Sequence, residues 1–252
     1  MNVMNVAVVS AYYKESSHEL ARCIDSVAAQ THQCTHFLVS DGHPQDLPDM
    51  RRVRHVKLGA AHADYGDTPR AVGSLLAIRE GFDAIAYLDA DNFFLRDHIK
   101  VMVDALAAAG GEYDLVTSRR FLLRSDGTRL PVPDESYQSH TDTSCYLLLR
   151  GAFALTPIWA LMPREFSMIG DRVFWRAIVA RGLRIAHVPR ESVGYRSLWK
   201  IHYERAGETP PEGAKDITEL IHAAARWWAA LPEAERVRVN ATLGFDAGTL
   251  FP

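Results

Sequence analysis

Two carboxylates one residue apart, Asp89 and Asp91, follow the apolar run at residues 84–88. Like charges this close repel each other unless a cation holds them. Hard oxygen donors of this kind suit Mg²⁺ or Mn²⁺, bound together with phosphate oxygens. A D-x-D pattern by itself also occurs at solvated strand ends, so its place after a buried strand is what gives it weight. Asp41 precedes Gly42 at the end of another apolar run. There it serves either as a plain turn residue or as an acceptor for a nucleotide base or ribose. Arg70 falls in the first turn of a helix opened by Asp67-Thr68-Pro69, near the same sheet edge, where it could contact a diphosphate or hold Asp89. Asp171, after Gly170 at a helix start, is kept ionised by the helix dipole and able to accept a proton. His202, in a polar C-terminal stretch, could supply an imidazole to a metal. The eleven histidines show no H-x-H or H-E-x-x-H spacing and give no independent zinc signal.

The elements that would position these residues alternate. Residues 6–11 form a short apolar run, as in a strand buried on both faces. Ser16-x-x-Glu19 is a capping box, and Leu20, Cys23, Ile24, Val27 and Ala28 behind it lie on one helix face. Residues 36–40 and 53–58 are further strands. Val72, Leu75 and Leu76 are expected on the buried face of the helix opened at Asp67. After the strand at 84–88, another helix carries Ile99, Met102, Val103 and Leu106 at helical spacing. This alternation predicts βαβ units around a mainly parallel sheet, with ligands beyond the carboxyl ends of its strands. Asp41, Asp89 and Asp91 all fall at those ends. In the second half, 113–117, 146–149 and 184–188 are expected strands and 171–180 a helix. A polar loop lies at 124–143, an aromatic polar stretch at 195–208 and a Pro/Gly-rich break at 209–213. Ile217, Leu220, Ile221, Ala224 and Trp228 fit a terminal helix; the final twenty residues carry no pattern.

Composition narrows the function classes. The 252 residues are 48% hydrophobic and 23% charged, with a net charge of −3. That is an ordinary globular balance with no positive excess for a phosphate backbone, so nucleic acid is not an expected partner. The three cysteines lack C-x-x-C spacing, which fits a reducing compartment. The most apolar stretch, 145–162, is interrupted by Arg150 and Pro157, and the opening residues lack a basic n-region. The expectation is a cytoplasmic protein, with room for peripheral contact at the inner face of a membrane. No G-x-G-x-x-G follows the first strand, against a dinucleotide oxidoreductase, and residues 10–17 hold no glycine, against a nucleotidyltransferase loop.

With these residues placed, the chain resembles glycosyltransferase family 2 enzymes of the GT-A fold. VAVVSAYYKESSHELARCIDSVAAQTHQCTHFLVSDGH, residues 6–43, is similar to that family's first strand, capped helix and acidic strand end. Ser26 and Gln30-Thr31 match its S-x-x-x-Q-T spacing. YGDTPRAVGSLLAIREGFDAIAYLDADNFF, residues 65–94, resembles the approach to its D-x-D. IGDRVFWRAIVARGLRIAHVP, residues 169–189, resembles the helix carrying its catalytic acid.

The resemblance implies an α/β GT-A fold: a Rossmann-like, mainly parallel central sheet flanked by helices, a smaller acceptor-side sheet and a C-terminal helical extension. Residues 1–208 would form the transferase domain, with 1–110 binding the nucleotide-sugar and 111–208 the acceptor, and 209–252 the extension. It implies a metal-dependent inverting hexosyl transfer from a nucleoside diphosphate sugar, UDP foremost, to a hydroxyl acceptor such as a polysaccharide. Asp41 would contact the nucleoside, and Arg70 would lie near the donor. Asp91 would ligate Mn²⁺ or Mg²⁺, Asp89 would sit nearer the ribose, and His202 would complete the metal site. Asp171 would be the general base. Ser40, His43, Ala11 and Gly170 depart from the usual family residues. A sugar nucleotidyltransferase and a non-catalytic sugar-nucleotide-binding protein are the alternatives, and a homodimer is compatible with either.

Overall fold

The computed structural model describes residues 3–48, 50–133 and 140–251. Strand β1 (Val6–Tyr12), helix α1 (Ser17–Ala28), β2 (Cys34–Ser40), β3 (Val53–Lys57), α2 (Asp67–Arg79) and β4 (Ala84–Tyr87) form the first half. A two-residue strand β5 (Phe93–Phe94), α3 (His98–Ala109), β6 (Leu115–Leu123), β7 (Tyr146–Leu149), α4 (Ile158–Leu161) and α5 (Gly170–Ala180) follow. The chain then runs through β8 (Ile185–Arg196), α6 (Lys200–Arg205), α7 (Ile217–Ala230) and α8 (Glu233–Leu243).

The strands form one sheet in the order β3-β2-β1-β4-β7-β6-β8-β5. β1, β2, β3 and β4 pair in parallel, as do β6 and β8. β7 runs antiparallel to both β4 and β6, and β5 antiparallel to β8. Strands β6, β8 and β5, expected to form a smaller second sheet, instead extend the central sheet across β7. Ala7 and Val9 face one layer with Tyr87, Trp159 and Phe174, while Val6 and Val8 face the other with Ile99 and Met102. Burial on both faces explains why these strands read as continuous apolar runs.

Local chemistry accounts for several boundaries. The capping box at α1 is formed: Ser16 accepts from the Glu19 N–H, and the Glu19 carboxylate accepts from the Ser16 N–H. On α2 the expected buried face is wrong. Leu75 and Leu76 are exposed, and the sheet is met by Ala71, Gly73, Ser74 and Ala77. The cause is close approach: a Cβ at Gly73 would lie 2.5 Å from Val9 Cγ1. Strands β6 and β8 run several residues past their expected ends, because each supplies the other's ladder as far as Leu123 and Arg196. Helix α8, in a region without apolar periodicity, follows Pro232 and ends at Gly244 in the left-handed conformation. Of the loop expected at 124–143, residues 134–139 lie outside the described residues. Among the described residues no helix is long and apolar enough to cross a membrane.

Candidate functional site

Beyond the carboxyl ends of β1 and β4 opens a cavity of about 840 Å³. It is lined by all six residues singled out from the sequence, Asp41, Arg70, Asp89, Asp91, Asp171 and His202. They arrive from the ends of two strands, the first turns of two helices and α6. The topology thus gathers residues more than a hundred positions apart.

Arg70 is buried at the start of α2. Its guanidinium donates to Asp67 Oδ1 at 3.0 Å and to Asp89 Oδ1 at 2.9 Å, and it lies 4.5 Å from the Trp159 ring centroid. Of the two roles open to it, this structure displays the holding of Asp89. Asp91 has no ion-pair partner among the described residues. Burial pushes its carboxyl up to about 7, and the neighbouring charges of Asp89, Glu15 and Asp142 push the same way. Burial likewise raises Asp67 to about 7, against the pull of Arg70.

Asp41 is fully engaged by the loop that follows β3. Its Oδ1 accepts from the His62 N–H at 2.8 Å, and its Oδ2 from the Ala63 N–H at 2.8 Å. Gly42 follows at φ 74°, where a side chain would collide with the Ala61 backbone 2.4 Å away. The Asp41-Gly42 pair therefore makes a turn and also anchors one wall of the cavity. Farther along that wall, Ala63, Tyr65 and Gly66 all have positive φ.

On the opposite side, Asp171 in the first turn of α5 accepts from the Arg172 N–H through Oδ1 at 2.8 Å. Its Oδ2 stands 3.2 Å from His140 Nε2. Burial pushes this carboxyl up, but His140, Arg120 and Arg172 together hold it below the ordinary carboxylate range. Arg120 pairs with buried Asp142 and lies 4.0 Å from the Tyr195 ring centroid. His202 Nδ1 is 2.7 Å from Ser197 Oγ.

No group of three or more His, Cys, Asp or Glu residues among the described ones is arranged to hold a metal ion. What is present is the acidic wall of Asp91, Asp89 and Glu15, where Asp91's charged form lacks a basic partner. That fits a hard cation that takes one or two carboxylates and completes its shell with phosphate oxygens and water.

No protein-family model matches the chain, and no curated protein matches it. Solved structures do. The crystal structure of S. aureus TarS 1–349 in complex with UDP superposes with a TM-score of 0.57, covering 95% of this chain and 70% of that one, at 14% identity. The chain shares the fold of TarS. A crystal structure of S. aureus TarS gives 0.55 at 14% identity, over 95% of this chain and 43% of that one. TarS 1–349 in complex with UDP-GlcNAc gives 0.51 at 12%, over 96% and 80%. At these identities the likeness to TarS is one of fold, and the side chains must speak for themselves.

The sequence singles out neither Glu15 nor Arg120 of this cavity in the TarS-like fold, and it marks His140, Asp142 and Tyr195 only as members of the polar stretches 124–143 and 195–208. Asp67 reads in the sequence only as a helix opener. A signal for Arg120 and Asp142 existed in charged residues bordering apolar strands. Nothing in the spacing joined His140 to Asp171, since their contact depends on how the loop before β7 folds over α5.

Proposed function

We propose that this chain is a glycosyltransferase that moves a sugar from a nucleoside diphosphate, UDP in our reading, to an acceptor hydroxyl, with inversion and dependence on Mn²⁺ or Mg²⁺. The observation that carries this is the shared cavity: Asp91, a carboxylate without an ion-pair partner among the described residues, lines it together with Asp171, a carboxylate held in its ionised form. Support comes from the TarS structures, which were solved with UDP and with UDP-GlcNAc in the same fold.

In this reading Asp91 is the first protein ligand of the cation, with Asp89 beside it and His202 as a further donor. A divalent cation bound there neutralises charge on the leaving diphosphate. Arg70 keeps Asp89 in place, and Asp41 holds the loop against which the nucleoside lies. The acceptor oxygen attacks the anomeric carbon as the bond from that carbon to the diphosphate oxygen breaks. The acceptor's proton passes to the Asp171 carboxylate. Single displacement of this kind inverts the anomeric centre.

Titration with UDP and UDP-GlcNAc, with and without Mn²⁺, tests the reading by thermal stabilisation, because a bound ligand raises apparent stability. The expected result is stabilisation that grows with Mn²⁺ and is lost in Asp91→Asn. UDP release from UDP-GlcNAc should fall about 10³-fold in that variant, which corresponds to about 4 kcal/mol of barrier. Asp171→Asn should bind nucleotide as wild type does and lose transfer. An Asp91→Asn protein that matches wild type in both assays would remove the metal role.

A further inference from the structure

We propose that His140 is a positioning residue for Asp171, its Nε2–H donating to Oδ2 and fixing how that carboxylate meets the acceptor hydroxyl. The inference rests on the reading of Asp171 as proton acceptor. It begins from geometry. His140 and Asp171 approach to 3.2 Å, and both side chains are largely buried, at 13% and 24% exposure. Both line the cavity. Asp171 Oδ1 takes the Arg172 N–H at 2.8 Å, so each carboxylate oxygen has one protein donor and the group is pinned from two sides. The remaining lone pairs are left for substrate.

The charges around Asp171 come from every neighbouring element. Arg120 approaches from β6, Arg172 from α5, Asp142 from the turn before β7, and Tyr146 from β7 itself. Asp67 of α2 lies close to Gly170. Burial favours the protonated carboxyl, and His140 is the foremost group opposing it. A carboxylate must be ionised to take a proton, so the rate falls on the acid side as pH drops through its titration. Removing His140 leaves burial less opposed, and that acid limb must move to higher pH. Loss of a merely structural histidine would lower folding stability and leave the limb where it was.

The test uses the whole chain with Mn²⁺, UDP-GlcNAc as donor and water as acceptor, and follows UDP release from about pH 3 to about pH 8, because the Asp171 carboxyl is held below the ordinary carboxylate range. His140→Ala should lower kcat about tenfold or more on the acid side, with KM for UDP-GlcNAc within about twofold, and shift the acid limb up by about one pH unit, a tenfold change in the ionised fraction there. His140→Gln, which keeps an N–H donor, should recover part of the rate and move the limb back. An unmoved limb in His140→Ala, or a raised KM with unchanged kcat, overturns the proposal. A second arm needs no turnover. In ¹⁵N-histidine NMR spectra, Asp171→Asn should move the His140 Nε2 resonance relative to wild type, because the group 3.2 Å from that nitrogen changes. An unmoved His140 Nε2 resonance overturns the pairing itself. A wild-type chain that binds no nucleotide and releases no UDP sinks the glycosyltransferase reading, and with it the catalytic role; the NMR arm reports on the pair separately, so the two failures are distinguishable.

Discussion

Two buried arginines line the cavity, and their surroundings differ. Arg70, on the β1–β4 side, lies between two carboxylates, Asp67 and Asp89, over the ring of Trp159. Arg120, on the β6–β8 side, pairs with one carboxylate, Asp142, over the ring of Tyr195. The first arginine is outnumbered, and Asp91 and Glu15 add further acid beside it. The second pairs with one carboxylate among the described residues, and its field also falls on Asp171. One wall of the cavity is thus an acidic surface that a divalent cation with its phosphates would neutralise. The other holds an arginine–carboxylate pair whose arginine helps keep Asp171 ionised. The same residue type, buried to the same degree, does different work because of the number of acids around it.

The largest expected effect separates the two walls directly. Removing one partner of a buried ion pair costs about 3–5 kcal/mol, because the other charge stays buried without compensation. Among the described residues, Arg70→Met leaves Asp67 and Asp89 uncompensated, and Arg120→Met leaves Asp142. Both should unfold at lower urea concentration than wild type, Arg70→Met at the lowest. Equal losses would break the comparison. They would mean that Asp67, already pushed up to about 7, folds protonated and asks nothing of Arg70. Arg70→Lys sharpens it further, since a lysine cannot reach both carboxylates with a fixed fork.

A smaller effect probes how tightly each wall is built. On the β1–β4 side, α2 approaches the sheet at Gly73, where an added Cβ would lie 2.5 Å from Val9 and 3.0 Å from Val39. Gly73→Ala should cost about 1–3 kcal/mol of overpacking, offset by about 1 kcal/mol of helix propensity. A net loss of stability with Arg70 still in place would show that the acidic wall stands on a rigid support. A neutral or stabilising Gly73→Ala, measured by urea unfolding, would show that α2 can shift without disturbing it.

Legibility in the sequence followed the same division. Asp67, Arg70, Asp89 and Asp91 belong to one helix and the strand that follows it. A βαβ unit brings a helix start and the next strand end to the same sheet edge by construction. Spacing and strand position alone could therefore place Arg70, Asp89 and Asp91 together, while Asp67 showed only its role at the helix start. Arg120, His140, Asp142, Asp171 and Tyr195 meet through an antiparallel crossing, a long loop and a strand that outran its expected end. No local period encodes those contacts. The faces of α1 and α3 could be read because large apolar residues mark them. The face of α2 misled because its contact is made by Gly73, Ser74 and Ala77, whose small size carries the packing and leaves the leucines outside.

The smallest effect tests whether the two walls are joined. The capping box of α1 was legible, but half of its function was not. Glu19 accepts from the Ser16 N–H at 2.9 Å, and its other oxygen pairs with Arg196 at the end of β8. The motif that starts a helix in the first half is also a tether to the second. Ser16→Ala removes the cap alone and should cost about 1 kcal/mol. Glu19→Ala keeps the Ser16 hydroxyl on the residue-19 N–H and removes the reciprocal half of the box together with the tether, the tether contributing up to about 1 kcal/mol, the usual worth of a partly exposed ion pair. If the tether matters, Arg196→Ala should be nearly silent in a Glu19→Ala background and costly in wild type. A double-mutant cycle by urea unfolding measures that difference. Strict additivity would leave the two walls coupled only through the sheet between them.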